Sequence, residues 1–500
     1  MNTQPNDNNV SIMELPAIIS LLCERANYPL LPEAKGTVSL FVRYLRRKAE
    51  RGLAIIYTVD DVPTKGLPGQ PGQTAAHKAH AKNPNRSVSL TLDEQALDGA
   101  RIRFSASQAQ QTPLVVQASG VLNADELGLS LQTFPADDRL PMLAASCDTT
   151  PQGPLFRALE GAAQATLGST AWHLSSAEAI PVRYKPANRC VIRYNLTVEQ
   201  DEPSTRRTLA IFGKVYTNPE QARSVYALTR KLYDEQGEDT THRPILPRPL
   251  GISEELGLTF NEAVMPTAEG ERLRTGIQAL QPQVEQDRAG NITRIILPSE
   301  ELQLTAQALA RLHNSAVRPQ QETPRSGAKE AKRARERAAL IAARNPTQAA
   351  EVQSLAQELA TRLETLQPDS YRPAHGGFKA SQLLFHSHEV FVVDFDGFCL
   401  ADAALDVGYF LAYLRPSGLW YQRPGMRQWF TEAAEAFLHA YQQAMRNNAS
   451  EETVTGIVER ARLYEAALLF KIATRRVNRL NSPRPRELAA MLREITLCLS

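Results

Sequence analysis

The sequence predicts an α+β protein in which strands dominate the first half of the chain and helices the second. Strand-like runs bounded by turn residues recur as far as about residue 266. From Glu301 onwards the apolar residues follow helical spacing, before and after one short β segment. That segment ends in an acidic turn, Asp394 to Gly397. The strands, the helices and the turn together define the fold class.

Composition narrows the class of protein. The 500 residues are 43% apolar and 22% charged, which is typical of a globular chain. A net charge of +2 is too balanced to indicate general nucleic-acid binding. The five cysteines are scattered without metal-ligand spacing, which predicts a reducing cytoplasm. Because the polar N-terminus lacks a signal peptide and no apolar run approaches the roughly 20 residues of a membrane span, we expect no membrane partner. The oligomeric state is not indicated.

An ordered series of elements precedes the helices. Residues 179–196 read as two strands joined by a turn at Lys185 to Asn188. Residues 208–218 form another strand, with Lys214 near its end. A helix over 219–236 follows, with Pro at its first position and Asn218 as its cap. Residues 256–266 predict a further strand that leads into the segment 267–273.

The most informative segment is 375–413. It reads as a loop, a strand at Leu383 to Phe385, a second strand at Val390 to Val393, the acidic turn and a helix. A carboxylate at the end of a buried strand is costly unless it binds a cation or hydrogen-bond donors. We therefore predict that Asp394 binds a metal that carries the phosphates of a nucleotide.

This segment resembles the catalytic core of the aminoglycoside phosphotransferase-like kinases, with maltokinase-like features. Their pattern is roughly HGDxxxxN, a strand ending in DF or DW, and then GDPxxDLA. His375-Gly376 match its start, and Asp394 matches its principal metal ligand. Gln382 stands where the metal-binding Asn is usual, and Gly377 stands in place of the catalytic Asp. Further along, Ala401-Asp402-Ala403 stand for GDP and Asp406 for the Asp that follows; we expect Asp402 and Asp406 to favour the start of a helix.

The resemblance implies a bilobal protein-kinase-like fold that uses ATP and Mg²⁺ on a small-molecule substrate. The strand, turn, strand, strand-with-lysine, helix and strand upstream follow the order of a kinase small lobe, with a hinge at 267–273. The metal ligands would be Asp394 and Gln382, and the catalytic residues His375, Lys379 and Asp396. The nucleotide-binding residues would be Lys214, Glu220, Lys185, Asn188 and Arg189. The basic run Lys329 to Arg337 reads instead as a solvated helix face.

The predicted domains are a β-rich N-terminal cap over 1–150, a small lobe over 155–270 and a helical large lobe over 271–500, with its catalytic segment at 373–413. Two blocks of the cap parallel the small lobe. Residues 47–59 parallel 184–196 around a Lys-to-Tyr spacing, and Glu126 to Pro135 parallel Glu255 to Pro266. We interpret the cap as a degenerate repeat of the small lobe, with a mobile loop at 62–85.

Three function classes remain open. The first is a kinase that phosphorylates a hydroxyl of a sugar or related metabolite, impaired by the absence of an aspartate at position 377. The second is a pseudokinase that binds nucleotide, or keeps only the fold, as a regulatory or scaffolding protein. The third is a nucleotidyl transferase, which moves AMP and in which the missing aspartate matters less.

Overall fold

The computed structural model describes most of the chain, in two compact units. The first unit comprises Met1–Arg223 with Leu250–Glu262, and the second comprises Ser224–Pro249 with Ala263–Ser500. The described residues are 14–30, 38–48, 52–61, 86–98, 101–200, 205–238, 243–264, 272–320, 323–477 and 484–500. The loop predicted at 62–85 and most of the hinge predicted at 267–273 therefore lie outside the described residues. The predicted domain boundaries stay a prediction.

Among the described residues up to Glu262, more lie in strands than in helices. The strands are β1 Val38–Lys48, β2 Gly52–Asp61, β3 Ser87–Leu92, β4 Leu97–Asp98, β5 Arg101–Ile102, β6 Val115–Val116, β7 Val121–Ala124, β8 Leu129–Thr133, β9 His173–Lys185, β10 Arg189–Gln200, β11 Thr205–Tyr216, β12 Pro249–Ser253 and β13 Leu258–Glu262. The helices are α1 Leu15–Arg25, α2 Ala106–Gln111, α3 Pro154–Leu167 and α4 Pro219–Gly237.

Two antiparallel sheets organise the first unit. One has the order β1-β2-β3-β8-β7-β6 and the other β12-β13-β11-β10-β9. Burial alternates along β10, where Cys190 to Val198 bury every second side chain, as a strand with one covered face requires. The turn predicted between Lys185 and Asn188 is confirmed, because Lys185 pairs with Arg189 across the hairpin. The predicted cap of α4 is also confirmed, since Asn218 Oδ1 accepts the Glu220 N–H at 2.8 Å.

The rest of the chain is mainly helical. Its strands are β14 Arg274–Thr275, β15 Gln283–Gln286, β16 Ile292–Ile296, β17 Arg372–Ala374, β18 Leu383–His386, β19 Glu389–Val392 and β20 Cys399–Ala401. Its helices are α5 Gly276–Ala279, α6 Ser299–His313, α7 Gly327–Arg344, α8 Ala349–Glu364, α9 Ala404–Leu414, α10 Ser417–Trp420, α11 Met426–Met445, α12 Glu451–Val477 and α13 Leu488–Leu499.

Helix α9 lies at the centre of the second unit. Its residues are buried on all sides, which requires that other helices surround it. Side chains of α6, α7, α8, α11, α12 and α13 share one hydrophobic core with it. No helix among the described residues is long and apolar enough to cross a membrane. The predicted α+β class with a β-rich N-terminal region is confirmed.

Candidate active site

Two short strands bring the loop that begins at His375 against the acidic turn. Strand β17 pairs antiparallel with β20, so the loop after Ala374 lies beside residues 395–397. Gly376 has φ +71°, and a Cβ atom added there would lie 2.1 Å from the carbonyl oxygen of Gly397. Only glycine permits this close approach of two backbone segments. The His-Gly pair of the sequence is thus explained by backbone geometry.

Asp406 holds this loop in place. Its fully buried carboxylate accepts the backbone N–H of His375 at 2.6 Å and those of Gly376 and Phe378 at 3.4 Å. Burial would raise the pKa of Asp406, but hydrogen bonding and charge from His313, together with His375, hold that pKa below its ordinary value. We expected Asp406 to serve the N–H groups of its own helix, and the structure directs its carboxylate to the loop that begins at His375 instead.

His313 and Tyr441 support Asp406 from behind. His313 Nε2 lies 3.6 Å from Asp406 Oδ2, and its Nδ1 is 2.7 Å from the Tyr441 hydroxyl. Both rings are buried. Sequence reasoning assigned no role to either residue, although the Leu-His ending of the helix at 312–313 was a signal. The pair fixes the carboxylate that positions the loop.

His375 is placed to orient the loop. Its side chain is 1% exposed, and Nε2 donates to the carbonyl oxygen of Val393 at 3.2 Å. Burial lowers the pKa of His375, so the imidazole is neutral at pH 7. Its position between the loop and the strand end fits a residue that aligns the two segments.

Asp394 and Gln382 meet where β19 ends. Asp394 has φ +77° and ψ +53°, a left-handed conformation that is uncommon outside glycine and recurs at functional sites. Gln382 Nε2 donates to Asp394 Oδ2 at 3.2 Å. Gln382 Oε1 is buried without a hydrogen-bond partner among the described residues. A carboxylate beside an amide oxygen that lacks a donor is a fitting start for a divalent-cation site.

The donor set suits a cation that shares its other ligands with a substrate. Rotating the Gln382 amide by half a turn directs Oε1 towards Asp394, and the two amide orientations are nearly isosteric. The described residues contain no cluster of three or more His, Cys, Asp or Glu side chains that could hold a metal alone. Mg²⁺ commonly takes one or two protein ligands and completes its octahedron with water and phosphate. The two side chains therefore fit Mg²⁺ better than a structural metal.

Position 377 has room for a side chain. A Cβ atom built on Gly377 meets no heavy atom within 4 Å, and its φ lies outside the left-handed region. The absence of an aspartate is therefore not imposed by crowding. Asp396, the nearby acidic residue of the turn, is half-buried.

Lys379 lies two residues further along the loop. Its Nζ is 5.6 Å from the centroid of the Tyr413 ring. Burial, followed by repulsion from Lys471, lowers the pKa of Lys379 to about 8, while Asp394 acts in the opposite direction. At pH 7 the side chain is still mostly charged. It can therefore stabilise negative charge near Asp394.

The predicted nucleotide-binding residues belong to the first unit. Lys214 lies in β11, paired with Val191 on β10 and Thr259 on β13, and its Nζ is 5.1 Å from the Tyr216 ring. Glu220 is exposed, and its carboxylate lies 3.5 Å from the Arg223 guanidinium. Its pairing with Lys214 stays a prediction.

The β9–β10 hairpin contains the other three predicted residues. Asn188 donates its N–H to the Lys185 carbonyl at 3.1 Å, which closes a tight turn ahead of Arg189. Asp137 fixes that turn, since its Oδ2 accepts the Ala187 N–H and the Tyr184 hydroxyl, both at 2.8 Å. Sequence reasoning missed Asp137, because no local pattern connects it to a hairpin about fifty residues away.

Comparison with known proteins supports the class of protein that the sequence predicts, a phosphotransferase. Residues 209–451, just under half of the chain, match the Phosphotransferase enzyme family (APH). The predicted resemblance to aminoglycoside phosphotransferase-like proteins is confirmed over this segment. The maltokinase-like features stay a prediction, and no curated protein matches the chain.

Solved structures are similar at low identity. A glucosamine kinase in complex with glucosamine, ADP and inorganic phosphate is 16% identical, with 99% of this chain and 98% of that chain covered and a TM-score of 0.41. A choline/ethanolamine kinase family protein from Mesorhizobium loti is 12% identical, with 61% of this chain and 83% of that chain covered and a TM-score of 0.35. An aminoglycoside phosphotransferase from Alicyclobacillus acidocaldarius is 15% identical, covering 61% and 85%, with a TM-score of 0.37. At these TM-scores the similarities say nothing about activity.

Proposed function

We propose that this protein is an ATP-dependent phosphotransferase that acts on a hydroxyl of a small molecule, such as a sugar or related metabolite. The observation that carries the proposal is the contact between Gln382 and Asp394, with a buried amide oxygen that lacks a donor beside a carboxylate in a left-handed conformation. The match of residues 209–451 to a phosphotransferase family supports it.

Asp394 and Gln382 would hold the divalent cation, for which Mg²⁺ is the proposed identity. Bound there, Mg²⁺ would neutralise charge on the β- and γ-phosphates of ATP. Lys214 would bind the α- and β-phosphates through its ammonium group. Lys185, Asn188 and Arg189 would contact the nucleotide from the hairpin, because its turn has no glycine to let the backbone approach a phosphate.

Proton transfer is the step for which the site is least equipped. Gly377 offers no group to accept the proton of the acceptor hydroxyl. The absence of a general base costs about 10²- to 10⁴-fold in rate. In our proposal Asp396 takes the proton through a water molecule, and Lys379 stabilises the transferring phosphoryl group. The remaining catalysis comes from the alignment that His375 and Asp406 give to the loop.

Substituting Gly377 tests this proposal directly. We expect measurable phosphate transfer from ATP by the wild type, and a gain of about tenfold or more for Gly377→Asp, because the new carboxylate occupies open space and supplies the missing base. Gly161→Asp is the matched control, since a Cβ atom there also meets nothing within 4 Å and Gly161 lies on the exposed face of α3. Transfer is measured by mass analysis of the products.

Nucleotide binding separates failure of catalysis from failure of the site. ATP with Mg²⁺ should raise the melting temperature of the wild type, since a ligand at 100 times its Kd adds about 2.7 kcal/mol. Asp394→Asn should abolish the part of the shift that depends on Mg²⁺. A wild type without turnover, together with no gain in Gly377→Asp, would contradict the role given to Asp396.

Gly377 also favours a second candidate, the pseudokinase. A nucleotide-dependent shift in melting temperature without turnover in either protein would support a nucleotide-binding regulatory protein. The absence of any shift at millimolar nucleotide would favour a scaffold. A product that has gained the mass of AMP would identify a nucleotidyl transferase.

A further inference from the structure

Two tyrosines of α9 form the centre of a cationic cluster. Tyr409 and Tyr413 lie one helical turn apart, and their rings stack with centroids 6.2 Å apart. Tyr409 is buried, and Tyr413 is half-buried. Both hydroxyl groups and both ring faces attract positive charge. The pair can therefore contact cationic side chains from several parts of the chain.

Three side chains meet these tyrosines directly. Lys471 on α12 donates to the Tyr409 hydroxyl, and its Nζ is 4.7 Å from the centroid of that ring. Arg475, one turn further on, donates to the Tyr413 hydroxyl at 3.1 Å. Lys379 of the catalytic loop lies over the other ring, that of Tyr413. The cluster therefore includes a residue two positions from Gly377.

Two arginines adjoin the cluster, and one of them connects it to the loop. Arg325 lies 5.7 Å from the centroid of the Tyr409 ring and donates to the carbonyl oxygen of Gly376 at 2.7 Å. Arg337 on α7 donates to the Ala467 carbonyl at 3.0 Å, one turn before Lys471. The basic run on α7, predicted to be solvated, thus contributes at least one half-buried guanidinium.

The positive charge is only partly compensated. Glu330 is fully buried and is shared between Arg325, at 2.7 Å, and Arg333. In the part of the chain that the structure describes, no carboxylate forms an ion pair with Lys379, Lys471 or Arg475. Burial, and then repulsion from Arg475, lowers the pKa of Lys471 to about 7. Clustered cations with too few counter-charges are costly in a partly desolvated site.

We propose that the phosphate acceptor carries an anionic group, which binds between Lys379, Lys471 and Arg475. This inference rests on the proposed function, because it assigns the substrate class of the same site. A phosphate, sulfate or carboxylate on the acceptor would offset the charge of the cluster and place a neighbouring hydroxyl beside position 377. An amino sugar would be repelled there.

Inorganic sulfate is a suitable first probe, since its charge does not change near neutral pH. It is titrated calorimetrically into the wild type, with and without a saturating non-hydrolysable ATP analogue and Mg²⁺. We expect binding that persists with the analogue and weakens at least fivefold in Lys471→Gln and in Arg475→Gln. Gln at 471 keeps a donor for Tyr409, and Arg475 is exposed, so both variants should fold. Lys332→Gln, on the exposed face of α7, is the matched control.

The pH dependence of this binding has a defined direction. The groups that face Lys471 are Tyr409 from α9, Arg475 from its own helix, Arg337 and Glu330 from α7, Arg325 from the segment before α7, and Lys379 from the loop after His375. A lysine with a lowered pKa binds an anion only when protonated. Sulfate affinity should therefore fall as the pH rises above about 7. In Lys471→Gln the fall should begin only at higher pH, above about 8, where Lys379 loses its proton.

Turnover supplies the second measurement. The specificity constant kcat/KM is compared for two pairs of acceptors. Neutral glucose is compared with anionic glucose 6-phosphate, and cationic glucosamine with anionic gluconate. Sulfate binding that is equal in the wild type and both variants would overturn the inference, as would faster turnover of the neutral or cationic acceptors. Variant-sensitive sulfate binding with no turnover of any acceptor would uphold the anion site and count against phosphate transfer. Turnover of glucose that is unchanged in Lys471→Gln would support phosphate transfer and count against the anion site.

Discussion

The two sheets of the first unit share one strand order. The order β1-β2-β3-β8-β7 corresponds to β9-β10-β11-β13-β12. In each sheet the first two strands form a hairpin and the third strand lies beside it. The last strand of the sequence comes next, and the strand that precedes it in the sequence lies outside it. The first sheet adds β6 at its edge. Two sheets of one topology in one chain support the interpretation of a degenerate repeat, which stays a prediction.

The register of the two sheets agrees as well. Counting from the hairpins, the row Ala54–Thr91–Ser130 of the first sheet corresponds to Val191–Lys214–Thr259 of the second. The parallel of residues 126–135 with 255–266 gives the same alignment, since it places Ser130 opposite Thr259. Thr91 therefore occupies the position of Lys214. The first sheet therefore keeps the strand order and register of the second but lacks the lysine that would contact phosphate.

Even the turns correspond. Gly128 has φ +59° and Gly257 has φ +53°, each directly before the matched strand. The Asp93 N–H donates to the Gly128 carbonyl at 2.9 Å, and the Tyr216 N–H donates to the Gly257 carbonyl at 3.0 Å. The segments after the third strand differ, because α2 has 6 residues and α4 has 19.

The largest expected effect concerns the lysine itself. Lys214→Ala should weaken binding of ATP with Mg²⁺ by about tenfold to a hundredfold, because a hydrogen bond to a charged group contributes roughly 1.5 to 3 kcal/mol. Thr91→Ala should leave the affinity unchanged. Both are measured by calorimetric titration. Equal losses in the two variants would mean that the first sheet also takes part in nucleotide binding.

The matched glycines should show a smaller effect on stability. Gly257→Ala should lower the free energy of unfolding by about 1 to 2 kcal/mol, because a left-handed conformation disfavours a Cβ atom. Gly128→Ala should cost more, since the new Cβ atom would lie 2.3 Å from the Asp93 carboxylate, whereas at Gly257 the nearest atom is 3.6 Å away. Urea denaturation measures both. Equal losses at the two positions would contradict this ranking and show that the Asp93 side chain moves aside without cost.

The smallest effect is expected at a matched pair of buried tyrosines, Tyr57 on β2 and Tyr194 on β10. The Tyr194 hydroxyl donates to the Ser146 carbonyl at 2.7 Å, whereas the Tyr57 hydroxyl has no partner among the described residues. Tyr194→Phe should therefore lower the free energy of unfolding by about 1 kcal/mol, and Tyr57→Phe should leave it unchanged or raise it. A loss at Tyr57 of the same size would reveal a partner for its hydroxyl.

Local patterns predicted the elements that local energetics decide. The hairpin turn at Lys185 to Asn188 and the start of α4 at Pro219 follow from turn and capping residues, whose effects act within a few positions. The strands around the acidic turn were predicted for the same reason. The hydrogen bond from the Ala187 N–H to the Asp137 carboxylate was not predicted, because it joins distant parts of the chain.

The site was predicted less completely than the fold. Asp394 and Gln382 were identified through a family resemblance, and the structure places them in contact. The role of Asp406 was not visible, because its carboxylate reaches a loop 31 residues earlier. The cluster around Tyr409 and Tyr413 combines a loop, α9 and α12, and each of its cations alone resembles a solvated surface residue.

The contact of Asp137 with the hairpin turn has a consequence for ligand affinity. The N–H of Ala187 is already occupied by a carboxylate and is not available to an incoming phosphate. Recognition of a nucleotide by this hairpin would then depend on the charges of Lys185 and Arg189. Attraction between exposed charges is screened by salt. Affinity for ATP should therefore fall steeply with ionic strength, unlike that of a backbone phosphate cradle.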